Sequence, residues 1–290
     1  REEVNLVRVT DRGKDCSILP VKSIGEVFGY ISGRRKLESY NRREVTVKSA
    51  FKAPIDFAAI KGQKRARRAV EIAAAAGGSI LMRGVPGSGK TMLANAMAGL
   101  LPPLTREQKL ELTRIYSASG LLDAGTAVIT RPFRAVHHTA SPQSVIGGGT
   151  GKIVAGEITL AHRGILFLDE LPEFNRRTLE SLRQPMEAGW VSIGRVGITV
   201  RLPCEFQLVA AMNPCPCGYA GVWLCEACGG YSHDAKPCEC GGERKAYMCK
   251  CGEHRVRQYQ SKISGPMLDR MDIVCDVLPI TADEQLDGKS

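Results

Sequence analysis

The stretch Gly84-Val85-Pro86-Gly87-Ser88-Gly89-Lys90-Thr91 fits the pattern G-x-x-x-x-G-K-[ST]. It restricts the fold more than any other part of the chain. The glycines let the backbone curl until successive N–H groups converge on phosphate oxygens. Lys90 can reach β- and γ-phosphates, and the Thr91 hydroxyl can ligate Mg²⁺. Such a loop has to lie between a strand and a helix. Ser79-Ile80-Leu81-Met82 before it is a short apolar run, and Met92-Leu93-Ala94-Asn95-Ala96-Met97-Ala98 after it is rich in helix formers. The helix N-terminus adds its positive dipole end to the anion site. Expected contacts to a nucleoside triphosphate are therefore Gly84, Val85, Pro86, Gly87, Ser88, Gly89, Lys90, Thr91 and Met92, with Mg²⁺ beside it.

A second apolar run, Ile165-Leu166-Phe167-Leu168, ends in Asp169-Glu170. Buried parallel strands look like this, and ligands bind at their carboxyl ends. Asp169 is expected to hold Mg²⁺ opposite Thr91, and Glu170 to polarise the attacking water. A third run, Phe206–Met212, ends at Asn213, whose amide can orient water near the γ-phosphate. The fold class is α/β: a parallel sheet flanked by helices at about 64–76, after the loop, 105–122 and 176–187. Residues 190–200 alternate about a Gly-Arg-Val-Gly tip and read as a β-hairpin. Residues 131–158 read as a mobile loop or hairpin inserted into a helical region. Adjacent His137 and His138 suit hydrogen bonding better than a shared metal. Near the start, residues 17–21 read as a strand. Ser23 and Glu26 form a possible capping box for a helix through Ile31. Residues 34–53 read as a basic linker.

The 290 residues carry a net charge of +10 and 43% apolar content, which permits a polyanionic partner without requiring one. No apolar run approaches the ~18 residues of a membrane helix. The chain starts without Met, as a fragment would. Of eleven cysteines, eight lie between 215 and 251: Cys215 and Cys217, Cys225 and Cys228, Cys238 and Cys240, Cys249 and Cys251. Close pairs followed by glycines point to tetrahedral thiolate sites rather than disulfides, in a reducing cytoplasm. Eight ligands suit two structural Zn²⁺ ions. One four-cysteine site with spare thiols, an iron–sulfur cluster, or substitution by His233 or His254 are the alternatives.

Taken together these stretches resemble the AAA+ ATPases of the magnesium-chelatase-like type, specifically the YifB/ComM group. The resemblance runs over Gly62-Gln63, Gly84–Thr91, Tyr116-Ser117, Arg131–Thr139, Gly147–Gly149, Gly156-Glu157, Ala161–Phe174, Leu182–Pro185, Leu208–Cys217 and Ile263–Ile273, about residues 54–280 in all. It implies an AAA+ core over 54–290, with a zinc-binding insertion at 214–252. Residues 1–40 would end an S5/Lon-like domain, 41–53 would be the linker, and the helical lid would lie beyond Ser290. By the same resemblance, Asn213 is sensor 1. Arg270 is an arginine finger reaching into the neighbouring subunit of a homo-oligomeric ring, a hexamer; a surface ion pair with Asp269 or Asp272 is its other reading. The hairpin at 190–200 and the glycine-rich segment at 145–158 would face the pore, making Arg195 and Lys152 candidate DNA-phosphate contacts. Cys215, Cys217, Cys249 and Cys251 match the group's usual cysteines and would form an outer site. Cys225, Cys228, Cys238 and Cys240 are additional and would form an inner one. The implied activity is ATP-driven translocation on single- or double-stranded, branched DNA, as in a branch-migration helicase of natural transformation. The rival readings are a chaperone driving metal insertion into a porphyrin and an ATPase that remodels proteins.

Overall fold

The computed structural model describes residues 19–38, 48–49, 55–123, 126–149, 153–195 and 198–280. The chain divides into two compact units, residues 1–52 with 104–130, and residues 53–103 with 131–290. In the first unit, helix Arg106–Ala118 begins with a capping box between Thr105 and Gln108. Lys48–Ser49 pairs in parallel with Thr126–Ala127. Ser23 makes no capping bond to helix Ile24–Ile31. The expected box fails because the Glu26 carboxylate accepts from the Lys22 N–H instead (2.7 Å). Of the expected strand at 17–21, Ser17 and Ile18 lie outside the described residues, and Leu19–Val21 are irregular.

The second unit is built on a parallel sheet. The sheet and its main helices are α1 (Lys64–Ala76), β1 (Ile80–Gly84), α2 (Lys90–Leu100), β2 (Phe133–Val136), β3 (Ile165–Leu168), α3 (Arg176–Ala188), β4 (Gln207–Met212), α4 (Glu253–Gln260), α5 (Gly265–Leu268) and β5 (Ile273–Val277). The five strands lie in the order β5-β1-β4-β3-β2, all parallel. Near-continuous apolar runs form the inner strands because both faces are covered. The period of two then divides each run between two cores. Ile80, Met82, Ile165, Phe167, Val209 and Ala211 meet α1 and α2 through Val70, Ala73, Leu93 and Met97. Leu81, Leu166, Leu168, Leu208 and Ala210 meet the other layer through Leu179, Leu182, Ile158, Tyr259 and Met267. Burying one such Leu or Ile side chain contributes about 1.5–3 kcal/mol. Gly77 ends α1 in the left-handed conformation (φ +71°), as glycine alone does without cost.

The reading of 131–158 needs correction at its start. Phe133–Val136 is the edge strand of the main sheet, paired with β3. Four residues containing an arginine carry too little alternation to be read as a strand, and Arg134 is kept by a bidentate pair with Glu157 (2.6 and 2.9 Å). The hairpin part is present: helix Pro142–Ile146 leads to Gly147–Gly148, antiparallel to Val154–Ala155. The hairpin at 190–200 is also formed and extends to Pro203, with Trp190 opposite Pro203 and Arg195 opposite Ile198. Among the described residues, no helix is long and apolar enough to cross a membrane.

Candidate nucleotide-binding site and metal centres

Three of the expected groups meet because of strand order. β4 lies between β1 and β3, so the segments leaving their carboxyl ends emerge side by side. These segments are the loop at 84–91, Asp169-Glu170 and Asn213. Gly87 and Gly89 take φ of +76° and +89°, which gives the loop its curl. Gly84 packs so tightly that a Cβ there would stand 2.2 Å from the Val277 carbonyl oxygen. Lys90 is buried, and its Nζ donates to the Gly84 and Val85 carbonyls (2.9 and 2.8 Å) and to Asn213 Oδ1 (3.3 Å). Burial pushes its pKa down, against the opposing pull of Asp169 and Glu170. Thr91 Oγ1 donates to Asp169 Oδ2 (2.9 Å), and the Glu170 N–H donates to Asp169 Oδ1 (2.9 Å). A hydroxyl and a carboxylate are hard oxygen donors of the kind Mg²⁺ takes, and they are already in contact. The loop's curl, its buried ammonium and the following helix terminus fit a polyphosphate. Met92 lies in the first turn of that helix and is exposed.

Three partners here were not legible in the sequence. Glu170 has φ +53°, a left-handed backbone that costs a non-glycine residue about 1–2 kcal/mol. Its carboxylate lies 3.1 Å from His138 Nδ1. The His138 ring is flanked by His137 (centroids 4.1 Å apart) and, edge-on, by Phe174 (6.5 Å). The histidine pair had been expected to hydrogen-bond, and His137 does so with Thr139 Oγ1 (2.8 Å), but nothing local in sequence ties position 138 to 170. Gln63 reaches from before α1 to the Ser88 carbonyl (3.2 Å) and to the Leu278 carbonyl, tying the loop to the segment after β5.

Arg270 follows α5 and pairs with Glu187 of α3, also donating to the Pro266 carbonyl. Its carboxylate partner is thus Glu187 and neither Asp269 nor Asp272. Asp272 instead accepts the Ser79 N–H (2.7 Å) at the start of β1. Arg195 is the last residue of the first hairpin strand. Lys152 lies outside the described residues.

The eight cysteines divide into two groups, Cys215/Cys217/Cys249/Cys251 and Cys225/Cys228/Cys238/Cys240, with all sulfurs of each group within 4.8 Å of one another. Four thiolates about 2.3 Å from a tetrahedral Zn²⁺ stand about 3.8 Å apart. The separations of 3.7 Å (Cys217–Cys249), 3.5 Å (Cys225–Cys240) and 3.6 Å (Cys228–Cys238) fit that figure, and Cys215–Cys217 is tighter at 3.2 Å. None of these cysteines is disulfide-bonded. The thiols of the first group are not alike. Burial opposes ionisation of Cys217, yet backbone donors at Lys250 and Tyr219 and neighbouring thiols bring it to about 6. Cys249 in the same group is pushed up to about 12, by burial and by its sulfur neighbours. A cation held among the four sulfurs would favour the ionised form of each. The first group joins the exit of β4 to the entry of α4. The second closes a small antiparallel sheet of Trp223–Cys225, Tyr231–Ser232 and Arg244–Ala246.

The family model described as magnesium chelatase, subunit ChlI, matches residues 56–229 and 232–285. The chain belongs to this family. The parallel-sheet α/β core is the AAA+ core of this family. This magnesium chelatase family chain is 37% identical to "Uncharacterized protein YifB" of Escherichia coli over 277 residues, covering 95% of this chain and 48% of that protein. It is 38% identical to "Competence protein ComM" of Haemophilus influenzae over 255 residues, covering 87% of this chain and 45% of that protein. The chain thus spans about half the length of these relatives. A structure of the complex between subunits BchI and BchD of magnesium chelatase shares the fold, with a TM-score of 0.52 at 20% identity, covering 81% of this chain and 65% of that one.

Proposed function

We propose that this chain is the ATP-hydrolysing core of a hexameric ring that moves on DNA and drives branch migration or strand separation. The observation that carries the hydrolytic part is the Thr91–Asp169 hydrogen bond, with Lys90, Asn213 and Glu170 around it. In this reading the loop N–H groups and Lys90 bind the β- and γ-phosphates, Lys90 exchanging loop carbonyls for phosphate oxygens. Thr91 and Asp169 hold Mg²⁺, which supplies positive charge to the phosphate oxygens. Glu170 takes the proton of the attacking water, and Asn213 orients that water. Arg270 leaves Glu187 to stabilise charge on the γ-phosphate bound in the next subunit, a role worth about 10³–10⁵ in rate. The two cysteine groups each hold a structural Zn²⁺, which a reducing cytoplasm permits. Three considerations support DNA as the partner: the net charge of +10, an arginine at the end of an extended hairpin strand, and 38% identity to a protein named for competence.

The test is ATPase and strand-displacement activity of the full-length protein on forked and branched DNA. DNA stimulates hydrolysis if the reading holds, and Arg195→Glu reduces the stimulation while sparing basal turnover. Absence of both DNA binding and stimulation overturns the DNA half. A second reading, an ATPase that drives metal insertion or remodels a protein, is favoured by 28% identity over 195 residues to "Magnesium-chelatase 67 kDa subunit" of Heliobacterium mobile. It predicts hydrolysis that responds to a protein partner and not to DNA.

A further inference from the structure

The turn that carries the first two cysteines packs on the nucleotide loop through Gly218. Cys215-Pro216-Cys217-Gly218 forms a tight turn in which the Gly218 N–H donates to the Cys215 carbonyl (3.0 Å). Gly218 has φ +89° and is buried against Pro86, the third residue of the loop. A Cβ at 218 would stand 2.5 Å from Pro86 Cδ and 2.7 Å from Cγ. Five residues earlier, Asn213 accepts from Lys90 (3.3 Å). One short segment, 213–218, therefore meets the loop at both its beginning and its end. The same segment is held from behind. Cys217 faces Cys249 (3.7 Å), the Ala220 N–H lies 3.3 Å from Cys215 Sγ, and Gln260 of α4 donates to the Pro214 carbonyl (3.0 Å). A cavity of about 220 Å³ lies behind the turn, lined by Arg83, Gly84, Pro214, Gly221, Val256 and Gln260 among others. The four sulfurs tie this segment to the chain at 249–251, and metal held among them fixes its position.

We propose that metal bound by Cys215, Cys217, Cys249 and Cys251 sets the position of the nucleotide loop through Gly218 and Pro86, so that occupancy of this metal site governs nucleotide affinity. Gly218 is a positioning residue: it touches Pro86 and not the phosphates. The proposal rests on the nucleotide-binding and zinc readings given above. It follows that a chelator that strips this metal weakens nucleotide binding before it unfolds the sheet.

The experiment measures two quantities on the full-length protein: Zn²⁺ per chain by elemental analysis, and the Kd for a fluorescent ATP analogue by equilibrium titration. Gly218→Ala is expected to keep its zinc and to raise Kd tenfold or more. Cys249→Ser with Cys251→Ser is expected to lose one zinc and to raise Kd by a similar factor. Gly221→Ala is the control for backbone strain: its φ is +70°, but a Cβ there meets nothing within 4 Å, so Kd stays at the wild-type value. Pro86→Ala removes the ring atoms that a 218 Cβ strikes, and placed in the Gly218→Ala background it recovers much of the lost affinity. Wild-type affinity in Gly218→Ala, or an equal loss in Gly221→Ala, overturns the proposal alone. Wild-type protein that holds no zinc, or binds no nucleotide, overturns it together with the reading beneath it.

Discussion

Removing two thiols from each cysteine group in turn should have unequal consequences. Cys217 and Cys249 are 32 residues apart in sequence, whereas Cys228 and Cys238 are 10 apart. Treating each metal bridge as a cross-link, loop-closure entropy gives about 3.7 kcal/mol for the longer loop and about 2.7 kcal/mol for the shorter. The larger figure acts on the whole second unit, because the first group joins the exit of β4 to α4, whose Tyr259 is part of the main core. The smaller figure acts on a local three-stranded sheet that can open by itself. Cys249→Ser with Cys251→Ser should therefore lower Tm by roughly 7–15 °C, at about 2–4 °C per kcal/mol for a chain of this order of size. Cys238→Ser with Cys240→Ser should move Tm by less than about 3 °C while opening residues 225–246 to protease. The assay is thermal unfolding with zinc analysis on the same samples, each double variant carrying one zinc where the parent carries two. Equal Tm shifts, or a larger shift from the second pair, would refute the reasoning. So would zinc content that does not change.

Three further outcomes are expected. His138→Ala releases the Glu170 carboxylate and lowers kcat by about tenfold or more, in line with the ~1.5–3 kcal/mol of a hydrogen bond to a charged group, with KM for ATP unchanged. A fall in affinity instead would place His138 in binding. Arg270→Ala mixed with Glu170→Gln restores part of the ATPase activity that each lacks, because the two defects fall on opposite sides of a subunit interface; no recovery at any ratio argues against a finger acting in the next subunit. The Arg83–Asp276 pair joins β1 and β5 (2.6 and 3.0 Å). Burial opposes ionisation of Asp276, but Arg83 prevails and holds its pKa below the usual carboxylate value. Its contribution is present above pH ~4 and fades as pH falls through the depressed pKa. In urea unfolding, the gap between wild type and Asp276→Asn should be widest near neutrality and narrow in acid. A gap independent of pH would show that the carboxylate charge is not what stabilises the pair.

What could be read from sequence is what depends on contiguous residues. A curled phosphate loop is eight residues of backbone whose glycines, lysine and threonine are all local, and the apolar runs at 80–84, 165–168 and 207–212 mark buried strands by composition. Paired cysteines likewise announce candidate metal sites by spacing. Phe133–Val136 escaped because an edge strand has only one neighbour and needs little apolar signal. Ser23 and Glu26 had the spacing of a capping box, yet Lys22 took the carboxylate first, a choice between two adjacent N–H groups that spacing does not encode.

The sequence alone determined that Gly84–Thr91 has the pattern of a phosphate-binding loop, that acids and an amide wait at the ends of two more strands, and that eight thiols fall in four close pairs. Tertiary structure alone decided which of these groups meet. Strand order β5-β1-β4-β3-β2 sets Thr91 against Asp169 across 78 residues, and chain folding pairs His138 with Glu170 and Arg270 with Glu187. It also sorts the cysteines into two groups and seats Gly218 on Pro86. The physical reason is common to all of them. Each is a contact between segments far apart in the chain, whose energies depend on ångström-scale packing, while the residues taken one segment at a time are compatible with many other partners.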